Sequence, residues 1–341
     1  MTNTIRGVQV SQADAPLRVV DLPQPRPGSG HVRLAVEACG ICHSDADMVH
    51  GVFGDGPFPL TPGHEIAGHI DELGDDVEGW QLGDRVAVGW FGGNDGLCQA
   101  CREGDAIDCV NLQVPGLAYP GGYAESTVVP TSALARIPSG LTSVEAAPMG
   151  CAGVTVFNAL RRSPAWPGDL VAIVGLGGLG HLAVQFASKM GFDTAVIDRG
   201  GAKETTARHL GARHYIDSTV TDVARELQAL GGAKVVLATV PASAAMTAAI
   251  DGLRALGELV VIGLSSNNIE VSPIQLIAGQ KTLRGHASGT SREVEETMDF
   301  AAQSGVRPVT DKAPLEDAPQ AFGKMLAGAT RFRGVLTPVG S

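Results

Sequence analysis

LVAIVGLGGLGHLAVQFASKM (Leu170–Met190) decides how this 341-residue chain is built. Its first five residues form an unbroken apolar run, which suits a strand buried on both faces. Gly175, Gly177 and Gly180 then occupy the three positions of G-x-G-x-x-G, with Gly178 and Leu179 filling the interval. Leu179, Leu182, Ala183, Phe186, Ala187 and Met190 follow at helical spacing. A strand, a glycine turn and an amphipathic helix in that order are the context in which the hexapeptide holds a dinucleotide. The first glycine permits the turn, the second lets the backbone approach a pyrophosphate, and the third lets helix and strand pack closely. The helix then offers its unpaired N–H groups to phosphate. Asp198 closes TAVID about 20 residues after the motif, where a carboxylate accepts from ribose hydroxyls. Its charge repels a 2′-phosphate and favours NAD over NADP, while the adjacent Arg199 offers such a phosphate a partner. Lys203 joins the same cofactor-binding set.

Outward from this stretch, TAVID, HYID, KVVLATV and ELVVIGL alternate with helical segments such as KETTARHLGA. That rhythm predicts an α/β fold with a doubly wound parallel sheet. The residues before about 150 read differently. HVRLAVEACG, EIAGHIDELG and DRVAVGW are short strands punctuated by glycine and proline corners, with no long helices between them. After about Ala287 a helix (SREVEETMDFAAQSG) and a strand (GVLTP) remain, too little for a separate domain, so this tail is expected to fold back onto the N-terminal part. The expected domains are 1–151 with 287–341, and 152–286.

The composition is 44% hydrophobic and 18% charged, so a large core is possible and disorder is excluded. With 36 acidic against 25 basic residues the formal charge is −11, which disfavours nucleic acid and anionic lipid as partners. No apolar run is long enough for a membrane helix, and the N-terminus lacks a signal-peptide core, so the expected location is cytoplasmic. Six cysteines in three clusters argue for reduced thiols and metal binding over a disulfide framework.

The loop GGNDGLCQACREGDAIDC carries Asp95, Cys98, Cys101 and Cys109. Cys98 and Cys101 are separated by the step that tetrahedral zinc accepts, and Cys109 closes the loop. Asp95 repeats the same step on the other side of Cys98, and its carboxylate suits the fourth position. Cys42 (in CGICHSD), His64 (in PGHEIAG) and Cys151 (in MGCAGVT) are scattered, and no local spacing joins them.

In order and spacing, CGICHSD, GHEIAG, the cysteine loop, MGCAGVT, GLGGLG and a C-terminal RFRGVL resemble the zinc-dependent alcohol dehydrogenases of the medium-chain dehydrogenase/reductase superfamily. The resemblance spans essentially the whole chain. It implies a Rossmann domain beside a β-rich, GroES-like catalytic domain, and reversible oxidation of a primary or secondary alcohol by hydride transfer to NAD(P)+. It implies two zinc ions per subunit. Cys42, His64 and Cys151 resemble the catalytic zinc ligands, a Cys₂His set of the kind known for alcohol dehydrogenase. Asp45 resembles the carboxylate that orients the ligand histidine, and Glu65 the carboxylate beside the metal that aids ligand exchange. Asp95 stands where the family has the first of four structural-zinc cysteines, which predicts a site that releases zinc more readily.

Ser44 resembles the hydroxyl that begins the proton relay. Asp47 occupies the position where many members end that relay with a histidine. Thr155 resembles the threonine behind the nicotinamide, His43 and Arg333 match groups set against the pyrophosphate, and Trp90 and Phe91 match positions lining the substrate pocket. The implied assembly is a homotetramer or homodimer, joined through sheet edges supplied by VVIGL and KTLRGH. A polyol or formaldehyde–thiol dehydrogenase of the same superfamily fits these residues as well. A dinucleotide-binding redox sensor would have damaged zinc ligands, and these are intact.

Overall fold

A computed structural model describes residues 4–54 and 58–338. The chain divides into two compact units, one of Met1–Val154, Ser288–Gln303 and Arg307–Ser341, the other of Thr155–Ala287 and Ser304–Val306.

In the second unit Leu170–Val174 is a strand with all five residues buried, as an apolar run within a covered parallel sheet requires. Gly175 turns the chain at φ +93°, a region open to glycine, and the helix Gly180–Lys189 follows. A Cβ on Gly180 would lie 1.9 Å from the Gly175 carbonyl oxygen, so this close return of helix on strand admits only glycine. The helix buries Leu182, Ala183, Phe186 and Ala187, and the Phe186 ring lies 5.3 Å from that of Phe157. Among the described residues the sheet has six parallel strands. Their spatial order is His214–Asp217, Asp193–Asp198, Leu170–Val174, Ala233–Ala238, Leu253–Val261 and Thr282–Gly285. Counted along the chain this is 3-2-1-4-5-6, the doubly wound order, whose reversal point lies at the carboxyl ends of Leu170–Val174 and Ala233–Ala238. Thr239 Oγ1 clips the two ends together, donating to the Val174 carbonyl at 2.8 Å.

The first unit is built on His31–Gly40. Alternate residues of this strand (Val32, Leu34, Val36, Ala38) are buried, the period-two pattern of a sheet with one covered face. It pairs antiparallel with Ile66–Leu73, which pairs with Arg85–Val88, and also with Ser126–Pro130. The C-terminal strand Arg333–Thr337 joins its far end, Val335 opposite Gly40 and Leu336 opposite Cys39. Thr310–Pro314 then adds a parallel edge. The tail thus completes a sheet begun some 300 residues earlier, as its shortness requires. The helix Ala152–Arg161, unread in the sequence, runs from the first unit into the second; it buries Val154, Val156, Phe157, Ala159 and Leu160, and its polar residues Thr155, Asn158 and Arg161 recur every three positions.

Candidate metal centres and dinucleotide turn

Cys42 leaves the strand His31–Gly40 just before the short helix His43–Val49. His64 and Glu65 precede the neighbouring strand Ile66–Leu73, and Cys151 lies between the turn Ala147–Gly150 and the helix Ala152–Arg161. The antiparallel pairing of Cys39 with Ile66 brings the first two segments side by side. The third is brought in by a close backbone approach, for a Cβ on Gly89 would sit 1.9 Å from the Gly150 carbonyl oxygen. Cys151, the residue after Gly150, thereby joins the Cys42 and His64 segments, and Trp90, the residue after Gly89, packs on the His64 ring. Donor atoms of Cys42, His64, Glu65 and Cys151 all lie within 4.8 Å of one another.

His64 is fully buried, and its Nδ1 meets Asp45 Oδ1 at 2.7 Å. Its Nε2 is buried without a hydrogen-bond partner, in a place where a lost partner costs about 1–3 kcal/mol. Asp45 is fixed in turn, with Oδ2 accepting from the Cys42 backbone N–H at 2.8 Å and the Tyr123 hydroxyl at 3.1 Å. Glu65 spends its carboxylate on Arg333. Nε of the arginine donates to Oε2 at 3.0 Å, and Nη2 to Oε1. The donors left to face a cation are therefore two sulfurs and one imidazole nitrogen.

The protonation tendencies follow from this crowding. A hydrogen bond from the Cys151 thiol holds Cys42 well below the usual thiol range, and the same bond with burial raises Cys151. Burial opposes a charged His64, but Asp45 and Cys42 outweigh it and raise the imidazole. Burial pushes Glu65 up to about 7 against the pull of Arg333. Burial, with Cys42 nearby, also raises Asp47, which lies one turn after Ser44 on the helix His43–Val49.

Trp90 stands edge-to-face on His64, centroids 5.1 Å apart, and Phe53 packs edge-on against Trp90 at 5.7 Å. Phe53 is absent from the sequence reading, because it lies in a glycine-rich loop that carries no motif. Phe91 is buried at 3% exposure.

The loop group is also assembled, with donors of Asp95, Cys98, Cys101 and Cys109 within 4.8 Å of one another. The carboxylate of Asp95 accepts from the backbone N–H groups of Leu97 and Cys98 and from the Asn111 amide, which hold it well below the carboxylate range. The Cys101 thiol also hydrogen-bonds to it. The five cysteines of the two groups are free thiols, as is Cys39, which is buried beside the first group.

In the second unit Gly177 is exposed, and a Cβ there would meet nothing within 4 Å. Asp198 Oδ2 accepts from the Leu176 backbone N–H at 2.7 Å and from Lys203 Nζ at 3.0 Å, and Oδ1 from the Arg199 N–H at 2.7 Å. The glycine turn, Asp198 and Lys203 thus form one linked group, with the Arg199 side chain exposed beside it. Thr155 is 8% exposed on the helix Ala152–Arg161, and His43 is exposed.

Known families match along the chain. Residues 28–139 match the family described as alcohol dehydrogenase GroES-like domain, and residues 178–303 match zinc-binding dehydrogenase. The alcohol dehydrogenase notN of Aspergillus sp. (strain MF297-2) is 41% identical over 337 residues, 99% of each chain. An alcohol dehydrogenase of Geobacillus stearothermophilus is 35% identical, covering 97% of this chain and 99% of its own. The structure of a cinnamyl alcohol dehydrogenase from Sorghum bicolor superimposes with a TM-score of 0.91 at 28% identity, covering 99% of both chains. Identity of this order over full length, on the same two-part fold, shows an oxidoreductase: the chain belongs to the alcohol dehydrogenases of the medium-chain dehydrogenase/reductase superfamily.

Proposed function

We propose that the chain interconverts a primary or secondary alcohol and its aldehyde or ketone with NAD, using one zinc ion held by Cys42, His64 and Cys151 and a second held by Asp95, Cys98, Cys101 and Cys109. The observation that carries the reading is His64 Nε2, a buried nitrogen with no partner, whose ring is locked by Asp45 beside two convergent thiols. Two thiolates and a neutral imidazole match a divalent ion in charge and leave a coordination position for substrate. When bound, zinc supplies Lewis acidity to the alcohol oxygen and the nicotinamide accepts the hydride.

The protein's own groups do the rest. Asp45 accepts from Nδ1–H and so presents the Nε2 lone pair outward from the ring. Glu65, neutralised by Arg333, lies beside the ligands and assists their exchange. Ser44 Oγ accepts the alcohol proton as its own hydroxyl proton passes on to the cofactor ribose, and the ribose proton leaves through the Asp47 carboxylate, or directly, to water. Trp90 narrows the approach to His64 and favours an apolar substrate, with Phe91 behind it. Gly177 leaves room for a pyrophosphate, which the N–H groups at the start of Gly180–Lys189 receive together with Gly178 and Leu179. Asp198, with Lys203, binds the adenosine ribose and repels a 2′-phosphate, which favours NAD. Thr155 supports the nicotinamide, and His43 and the Arg333 nitrogen not engaged by Glu65 serve the pyrophosphate. Two or four copies associate through the edge strand Thr282–Gly285.

Absorbance of the reduced nicotinamide tests the reading, with a panel of primary, secondary, aromatic and polyol alcohols and a formaldehyde–thiol adduct, each with NAD and NADP. Turnover with an alcohol and NAD, lost on chelation and restored by zinc, is expected. Turnover that survives complete zinc removal would sink it.

A further inference from the structure

Asp95 is the least usual ligand of the loop group, because a carboxylate on a surface loop rotates freely about its last bond. Its environment removes that freedom. Each carboxylate oxygen has two lone-pair positions. Oδ1 uses both, accepting from the backbone N–H groups of Leu97 at 2.8 Å and Cys98 at 3.1 Å. Oδ2 receives the Asn111 side-chain Nδ2 at 2.6 Å, and its second lone pair is left to the cluster of sulfurs, where the Cys101 thiol hydrogen-bonds to the carboxylate. The backbone N–H of the same Asn111 reaches the Cys109 sulfur at 3.4 Å, and Asn94 Nδ2 donates to Cys101 Sγ at 3.2 Å.

We propose that Oδ2 is the ligand oxygen of Asp95, and that Asn111 is a positioning residue that turns this oxygen toward a zinc ion shared with the three thiolates. The inference rests on the two-zinc reading above. Four singly charged ligands around one divalent ion leave a net charge of −2. Neutral amide donors relieve this excess without adding charge, and Asn111 does so at two ligands, Asp95 through its side chain and Cys109 through its backbone. Nothing in the local spacing marks Asn111, since it lies outside the cysteine steps.

Zinc per chain is measured by elemental analysis, and the rate of transfer to a colorimetric chelator is followed for each ion. The proteins compared are the wild type, Asp95→Ala, Asn111→Ala, Asn111→Asp, Asp95→Cys and the double variant Asp95→Cys/Asn111→Ala. The wild type is expected to hold two ions, and Asp95→Ala to lose one. Asn111→Ala is expected to release one ion about tenfold faster or more, the usual scale for removing a partner of a metal ligand, while the other ion is unaffected. Asn111→Asp, which sets a charge against the carboxylate, is expected to release it faster still. In the Asp95→Cys background Asn111→Ala is expected to have no effect, because sulfur has replaced the oriented oxygen. The melting temperature of the zinc-stripped protein should not change with Asn111→Ala, which separates a metal role from a merely structural one. A wild type with two ions and an unaltered release rate in Asn111→Ala would overturn the inference alone, as would equal acceleration in the Asp95→Cys background. One ion per chain in both wild type and Asp95→Ala would overturn the second zinc and this inference with it.

Discussion

Asp45 receives three donors, His64 Nδ1 on Oδ1 and both the Cys42 N–H and the Tyr123 hydroxyl on Oδ2. An amide in its place must turn an N–H₂ toward one of these donors. Asp45→Asn is therefore expected to weaken metal retention by about 10–100-fold, read by chelator competition, while the protein stays folded. The glycines of the dinucleotide turn allow a second test at this scale. Gly180→Ala drives a methyl into the Gly175 carbonyl and is expected to cost about 1–3 kcal/mol of stability in denaturant unfolding. Gly177→Ala meets open space, so the same measurement should barely move, while the KM for NAD rises. Equal effects of the two on stability would remove the distinction between a packing glycine and a ligand-facing one.

The residues least legible in the sequence act through partners far away along the chain. The spacing of Cys98 and Cys101 is local and readable, whereas Tyr123 reaches Asp45 across 78 residues and Arg333 reaches Glu65 across 268. No periodicity announces such pairs, because they arise when strands align. Resemblance placed Arg333 against a pyrophosphate, and its engagement by Glu65 is visible only in three dimensions. The strand Leu170–Val174, the glycine turn and the helix after it were readable because each is set by residues within its own length. The edge strand Thr282–Gly285 has no buried run, so only a paired neighbour defines it.

Glu37 joins elements in the same long-range way. It lies on His31–Gly40, meets His69 on Ile66–Leu73 at 2.8 Å, and accepts from Ser143 at the start of the helix Ser143–Ala146. Burial alone lifts its carboxyl, but the Ser143 and His69 hydrogen bonds reverse this and leave it below its ordinary value of 4.5. A carboxyl that is depressed on folding stabilises the protein above the unfolded value and ceases to do so as pH falls through the folded one. The stability difference between wild type and Glu37→Gln should thus be constant above about pH 5.5 and shrink in acid. A difference that is flat through pH 3 would show that the ionised form plays no part.

At the scale of the whole molecule, both clusters of candidate metal ligands lie in the first unit and the glycine turn after Leu170–Val174 lies in the second. Chelation should therefore raise amide hydrogen exchange in the segments around Cys42, His64, Cys98 and Cys151, and leave the core strands Leu170–Val174 and Ala233–Ala238 protected. Adding NAD to the chelated protein should slow exchange at Leu176–His181. Uniform loosening of both units on chelation would contradict this division. Among the described residues no helix is long and apolar enough to cross a membrane.

The pairing of Arg333–Thr337 with His31–Gly40 has a consequence for how the molecule is made. A ribosome delivers Glu65 early, and the arginine that neutralises it arrives only after the whole parallel sheet has emerged. Until then that buried carboxylate lacks its counter-charge, a situation that strongly disfavours the compact state. The inserted unit can finish folding while the outer one waits, so synthesis itself orders the events, and the strand that carries Arg333 to Glu65 is translated only after every strand of the parallel sheet.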